Sequence, residues 1–134
     1  MFDVQFARRQ MIEQQVRAWE VLDLKVLDVL QQVPREEFVP AAYRDLAFAD
    51  TGVPLAHGQS MLPPKLEGRI LQALEIQPHE SALEVGTGSG FFAACLGRLA
   101  RTVRTIDLFP EFVTEAMTKY AHCGVNNVSA QVAD

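Results

Sequence analysis

The sequence predicts an α/β fold, a parallel sheet entered through a helical N-terminal region. Two observations carry this. From Ala82 onward, short apolar strands alternate with helices of about ten residues, the pattern of βαβ crossovers. Before that point the apolar residues recur at helical spacing instead. The texture changes near Gln77–Ser81, which divides the chain into residues 1–77, helical with an irregular loop, and residues 78–134, where strands and helices alternate.

In the first region Met11, Ile12, Val16 and Trp19 follow one another at helical spacing, then Leu22, Val26, Leu27, Val29 and Leu30. Asp23 is placed to cap a second helix, and Pro34 stops it. Pro34 to Pro40 reads as a short helical turn between prolines. Asp50 to Pro64, with its prolines and glycines, reads as a loop or short hairpin. Pro63 and Pro64 suit the first turn of a helix through Leu66, Ile70, Leu71 and Leu74. In the second region Ala82–Val85 is a strand, Phe91–Ala100 a helix and Thr102–Asp107 a strand. Pro110 opens a helix closed near Gly124, and Val128–Val132 is a third strand.

Composition narrows the class. The chain has 134 residues, 49% hydrophobic, with a formal net charge of −5, enough for one core. No Lys/Arg cluster is dense enough to neutralise a phosphate track, so no nucleic-acid partner is expected. No apolar run approaches the roughly 20 residues of a membrane span. Met1 leads into Asp3, Arg8 and Arg9 without an apolar leader core, so the cytoplasm is the expected compartment. Cys95 and Cys123 lie in helical apolar patterns and read as two buried free thiols; no metal site is expected. Arg8, Arg9 and Arg17 read as a solvated helix face, Trp19 with Met11 and Val16 as core or loop packing, and His79 and His122 as surface residues.

The chemistry is concentrated in Glu84-Val85-Gly86-Thr87-Gly88-Ser89-Gly90. A chain leaving a strand for a helix must turn sharply, and glycine supplies the positive φ that such a turn needs. It also lets a ligand approach the backbone. The nicotinamide fingerprint is G-x-G-x-x-G, with pyrophosphate at the helix N-terminus. Here the spacing is G-x-G-x-G and an acid, Glu84, precedes it. A carboxylate there repels a pyrophosphate but attracts the ammonium of a methionine moiety. Asp107 ends the next strand, where a carboxylate can accept hydrogen bonds from both ribose hydroxyls. Asp134 follows the third strand, within reach of an adenine edge. Glu84, Gly86, Thr87, Gly88, Ser89, Gly90, Asp107 and Asp134 are therefore the expected cofactor-binding residues, and the pattern favours S-adenosyl-L-methionine. The fold becomes a Rossmann-like S-adenosylmethionine methyltransferase sheet.

Longer stretches resemble one family, the protein-L-isoaspartate O-methyltransferases. They are Arg9–Ile12, Val33-Pro34-Arg35-Glu36-Glu37-Phe38-Val39-Pro40, Tyr43–Asp50, His57-Gly58-Gln59 and Leu83–Gly90. The resemblance implies transfer of the cofactor methyl to the α-carboxylate of isoaspartyl residues in damaged proteins. A carboxylate attacking an activated methyl needs no strong base, so such an enzyme mainly positions and desolvates its substrate. The family's substrate loop reads G-Q-T-I-S-x-P; this chain has Gly58-Gln59-Ser60-Met61-Leu62-Pro63-Pro64. The resemblance makes Ser60, which keeps the threonine's hydroxyl, the catalytic candidate, with His57, Gly58, Gln59 and Leu62 as substrate-loop residues. Leu62 stands where the family has a serine implied to contact the reacting carboxylate, and leucine cannot donate a hydrogen bond. Either another group makes that contact, or the acceptor differs. A methyltransferase with another acceptor and a non-catalytic cofactor-binding module are the alternatives.

The family's sheet continues beyond a third strand. On that pattern the chain ends early, at Asp134, as the N-terminal part of a longer protein, and is not expected to be competent alone. The strand carrying Leu83 and Val85 is then an edge, through which self-association is expected.

Overall fold

Caps and prolines set the order of the helices. The computed structural model describes residues 3–134; Met1, where the leader reading begins, lies outside the described residues. The chain forms two compact units, Met1–Glu75 and Ile76–Asp134.

In the first unit α1 (Val4–Met11) is capped by Asp3, whose carboxylate accepts from Phe6 N. It runs on through a π-helical turn at Ile12–Val16 and a 3₁₀ turn at Arg17–Trp19, ending where Glu20 turns left-handed. Asp23 caps α2 (Leu24–Gln32), accepting from Lys25 N at 2.9 Å. Val33 is extended, as a residue before proline must be. Two 3₁₀ turns follow, Arg35–Glu37 and Ala41–Leu46. Residues 50–64 hold a short antiparallel hairpin, β1 (Val53–Pro54) with β2 (Ser60–Met61), before α3 (Pro64–Leu74).

On α3, Leu71 is buried with Pro64, Glu67 and Gly68, whereas Leu66, Ile70 and Leu74 are exposed. Gly68 selects that stripe: a Cβ there would stand 2.9 Å from Val16 Cγ1, so only a glycine lets α3 come this close. Arg8 is not solvated but buried, because it shares the inward face of α1 with Met11. Its guanidinium pairs with both Glu36 oxygens, at 2.7 and 3.0 Å, and lies 5.2 Å from the centroid of the Phe48 ring. Burial pushes the Glu36 carboxyl up, but the Arg8 hydrogen bonds, its own backbone and the charges of Arg8 and Arg44 together hold it below its ordinary value. Arg9 and Arg17 are exposed. Trp19 is not core: it is 44% exposed, with the Lys65 ammonium 4.2 Å over its ring.

Arg35 is the most buried charge of this unit, 1% exposed. It donates from Nε to Ala47 O at 2.8 Å, from Nη2 to Leu62 O at 3.0 Å and from Nη1 to Glu67 Oε1. One planar fork thereby ties a 3₁₀ turn, the segment after β2 and the middle of α3 together. Burial pushes the Glu67 carboxyl up, and Arg35 opposes that shift.

In the second unit β3 (Ser81–Val85), β4 (Thr102–Asp107) and β5 (Val128–Val132) form a parallel sheet in the order β3-β4-β5. The crossovers are α4 (Phe91–Leu99) and α5 (Pro110–Cys123), the latter closed by Gly124 in the left-handed region. Phe91, Ala94, Val103, Phe112, Ala116 and Val128 are buried between helices and sheet. Neither cysteine forms a disulfide, and only Cys95 is buried; Cys123, in the last turn of α5, is half-exposed. Among the described residues β3 pairs on one side only, with β4, and Leu83 and Val85 are 60% and 78% exposed. Toward β5 the same sheet face turns polar, with Arg104 Nε donating to Gln131 Oε1 at 2.8 Å. Among the described residues, no helix is long and apolar enough to cross a membrane.

The Arg35 fork makes a specific demand. Arg35→Met leaves the Glu67 carboxyl buried without its counter-charge, and a loss of about 3–5 kcal/mol is expected in urea unfolding.

Candidate functional site

The glycine loop is built by the pairing of β3 with β4. Parallel register sets Glu84 opposite Thr105 and Val85 opposite Ile106, so the loop leaving β3 runs beside the end of β4. The Ile106 carbonyl accepts from both Gly86 N, at 2.8 Å, and Thr87 N, at 3.1 Å. Gly90 N closes a turn on Thr87 O at 2.9 Å, and Gly88 N donates to Asp107 Oδ2 at 3.1 Å. Gly86, Gly88 and Gly90 all have positive φ, as the turn demands. Gly90 is the most constrained: a Cβ there would lie 3.0 Å from the Tyr120 hydroxyl and 3.1 Å from Ala116 Cβ.

The N–H groups matter chemically. A loop that grips a pyrophosphate aims its N–H groups at the ligand. Here those of Gly86, Thr87, Gly88 and Gly90 go to protein acceptors, and Phe91 N donates to Ser89 Oγ at 3.2 Å. The polar groups associated with the loop are instead acidic, Glu84 and Asp107. That donor set fits a nucleoside with a cationic end better than a dinucleotide.

Asp107, 9% exposed, accepts from Gly88 N through Oδ2 and from Phe109 N through Oδ1, at 3.1 and 3.0 Å. Each carboxylate oxygen has a second lone pair, so this anchoring orients the group and leaves acceptor capacity for hydroxyls. Glu84, half-buried, accepts from Thr105 Oγ1 at 2.6 Å, and Thr105 Oγ1 lies 2.8 Å from Thr87 Oγ1. Ser89 and Gly90 are held from α5: Lys119 Nζ donates to Ser89 O at 3.0 Å and Tyr120 Oη to Gly90 O at 2.9 Å. Burial above all, then the charges of Glu84 and Cys95, pushes the Tyr120 hydroxyl well above its usual range, so it remains a donor. Asp134 is exposed beyond β5, while its neighbour Ala133 donates its N–H to Asp107 O at 3.0 Å.

The structure thus brings Glu84, Thr87, Gly88 and Asp107 together through Thr105 and the loop backbone. The substrate-loop candidates lie in the first unit. Ser60 is exposed in β2, paired with Pro54. His57 takes the left-handed conformation at φ 58°, followed by Gly58 at φ 68°, and Gln59 Nε2 donates to His57 O at 3.2 Å. Leu62 exposes its side chain while its carbonyl is held by Arg35. Among the described residues, no group of three or more His, Cys, Asp or Glu could hold a metal ion.

Thr105, Lys119 and Tyr120 escape the sequence reading as site residues. Thr105 carried a usable signal. It alternates with Val103 and Asp107, so it shares a strand face with a candidate carboxylate. Tyr120 carried none, since its helical spacing from Ala116 reads equally as core.

Three parallel strands, two crossover helices and this acid-flanked glycine turn define a Rossmann-like domain of the methyltransferase type. The profile of the protein-L-isoaspartate(D-aspartate) O-methyltransferases matches residues 7–134. The chain belongs to that family. It is 38% identical over 127 residues to protein-L-isoaspartate O-methyltransferase 1 of Rhodopseudomonas palustris, covering 95% of this chain and 52% of that protein. It is 41% identical over 114 residues to the Paracoccus denitrificans protein-L-isoaspartate O-methyltransferase, covering 85% and 53%. The chain therefore spans about half the length of the curated relatives it matches. Among solved structures, a protein-L-isoaspartate O-methyltransferase superposes with a TM-score of 0.80 at 19% identity, over 95% of this chain and 42% of the other. A Plasmodium falciparum structure described as the same kind of enzyme, in complex with S-adenosyl-L-homocysteine, gives 0.76 at 16%, over 99% and 63%. At these identities the superpositions establish the fold.

Gly90→Ala forces a side chain into both a left-handed conformation and the Tyr120 hydroxyl. A loss of about 1–3 kcal/mol is expected from the backbone alone, read as a lowered thermal midpoint.

Proposed function

We propose that the complete protein is an S-adenosyl-L-methionine-dependent methyltransferase that esterifies the α-carboxylate of isoaspartyl residues in damaged proteins. The observation that carries the cofactor part is the glycine loop, where the N–H groups of Gly86, Thr87, Gly88 and Gly90 are spent within the protein and Glu84 and Asp107 flank the turn. In this reading Asp107 receives the ribose hydroxyls, Glu84 the cationic amino end and Asp134 the adenine edge. Gly86, Thr87, Gly88, Ser89 and Gly90 form the floor. When bound, the cofactor supplies an already activated methyl group. The chain's own residues then orient and desolvate; none needs to act as a strong base on a substrate that is already a carboxylate. The family assignment and the relatives' names support the acceptor class. Ser60 is the hydroxyl proposed to meet the substrate carboxylate, with His57, Gly58 and Gln59 shaping the loop.

Leu62 favours a second reading. Its exposed side chain offers no donor where the family pattern has a serine, which supports a methyltransferase with a different acceptor. The expected outcome with the complete protein and an isoaspartyl peptide is labelled methyl ester that disappears in Ser60→Ala. Cofactor binding with no transfer to that peptide would favour the second reading. The net charge of −5 supports protein rather than nucleic-acid partners, and the reading places the activity in the cytoplasm.

The open edge of β3 supports self-association of the 134-residue chain. Sedimentation velocity is expected to give concentration-dependent assembly that Leu83→Lys suppresses; an unchanging monomer would contradict it.

A further inference from the structure

Thr105 lies on β4, fully buried at 0% exposure and outside the glycine loop. Its hydroxyl has two polar neighbours in reach, Glu84 Oε1 at 2.6 Å and Thr87 Oγ1 at 2.8 Å. A hydroxyl has one proton to give, and an ionised carboxylate can only accept. The Thr105 proton therefore goes to Glu84, and Thr87 must give its own proton to Thr105. The result is a directed chain from Thr87 through Thr105 to Glu84, laid across register-paired strands. Its last link has the length of a charge-assisted O–H···O⁻ bond.

That link constrains the acid. A glutamate carboxylate turns about three side-chain torsions, and the broad terminal one is decided by its hydrogen-bond partners. The β4 backbone fixes Thr105, so the orientation of Glu84 is inherited from the sheet. Asp107 is held independently, by Gly88 N and Phe109 N. The two carboxylates are thus oriented by separate donors.

We propose that Thr105 is a positioning residue that aligns Glu84 with the cationic amino end of the cofactor. It thereby makes the protein discriminate between ligands that carry an amino-acid end and those that stop at the nucleoside. This rests on the cofactor reading of the glycine loop. Valine at 105 keeps the shape and removes the donor, so the loss falls on the amino-acid end and spares the ribose end.

The test is calorimetry on the complete protein with two ligands, S-adenosylhomocysteine and 5′-methylthioadenosine, which share the nucleoside but not the amino acid. Thr105→Val is expected to weaken S-adenosylhomocysteine about tenfold while leaving 5′-methylthioadenosine within about twofold. Thr105→Ser, which keeps the donor, is expected to restore the first. Should valine prevent folding, Thr105→Ala reads the same contrast. Equal weakening of both ligands, or unchanged S-adenosylhomocysteine binding, overturns the assignment and leaves the cofactor reading standing. A wild-type protein that binds neither ligand overturns both.

Discussion

The carbonyl of Ile106 accepts two successive N–H groups of the loop that leaves β3, and the geometry of the glycine turn follows from it. A parallel pair of strands fixes which residues lie side by side. Once Val85 is level with Ile106, the next N–H groups of the loop meet the end of β4, and Glu84 meets Thr105. The glycines then permit the turn, but they do not choose its direction. The Ile106 carbonyl and the Asp107 carboxylate do, with Lys119 and Tyr120 holding the far side.

The N–H groups of Gly86, Thr87, Gly88 and Gly90 are spent on protein acceptors, three of them at the end of β4. The cost is that these N–H groups no longer serve a phosphate. What remains is an acidic site whose two carboxylates accept from different donors, Glu84 from Thr105 and Asp107 from Gly88 N and Phe109 N. Such carboxylates suit a ligand with two hydroxyls at one end and a positive charge at the other.

The first unit uses charge differently. Arg8 and Arg35 are buried, and each is matched to a glutamate, Glu36 or Glu67. Such pairs add little net stability compared with apolar packing, yet breaking one is costly. Their effect is geometric. Arg35 reaches two carbonyls besides its glutamate, so the backbone at Leu62 is pinned while the Leu62 side chain is left exposed. The phrase Val33–Pro40, which carried the family resemblance, is thus partly the record of a buried ion pair.

Local order was legible because it is set by neighbours in sequence. The strands Thr102–Asp107 and Val128–Val132, the caps at Asp23 and Gly124 and the glycine turn all follow from period, proline and φ preference. Burial of particular polar and aromatic groups was not. Arg8 and Trp19 exchanged places, since a helix face says which residues point together but not what waits for them. On α3 the buried residues are Pro64, Glu67, Gly68 and Leu71, and a Cβ at Gly68 would stand 2.9 Å from Val16 Cγ1, a close approach that helical period alone does not reveal. The sequence by itself determined the parallel α/β order, the position of the glycine loop and the family. Tertiary structure decided that Thr105 donates to Glu84 and Tyr120 to Gly90, because those partners lie 21 and 30 residues apart and meet only when the sheet forms.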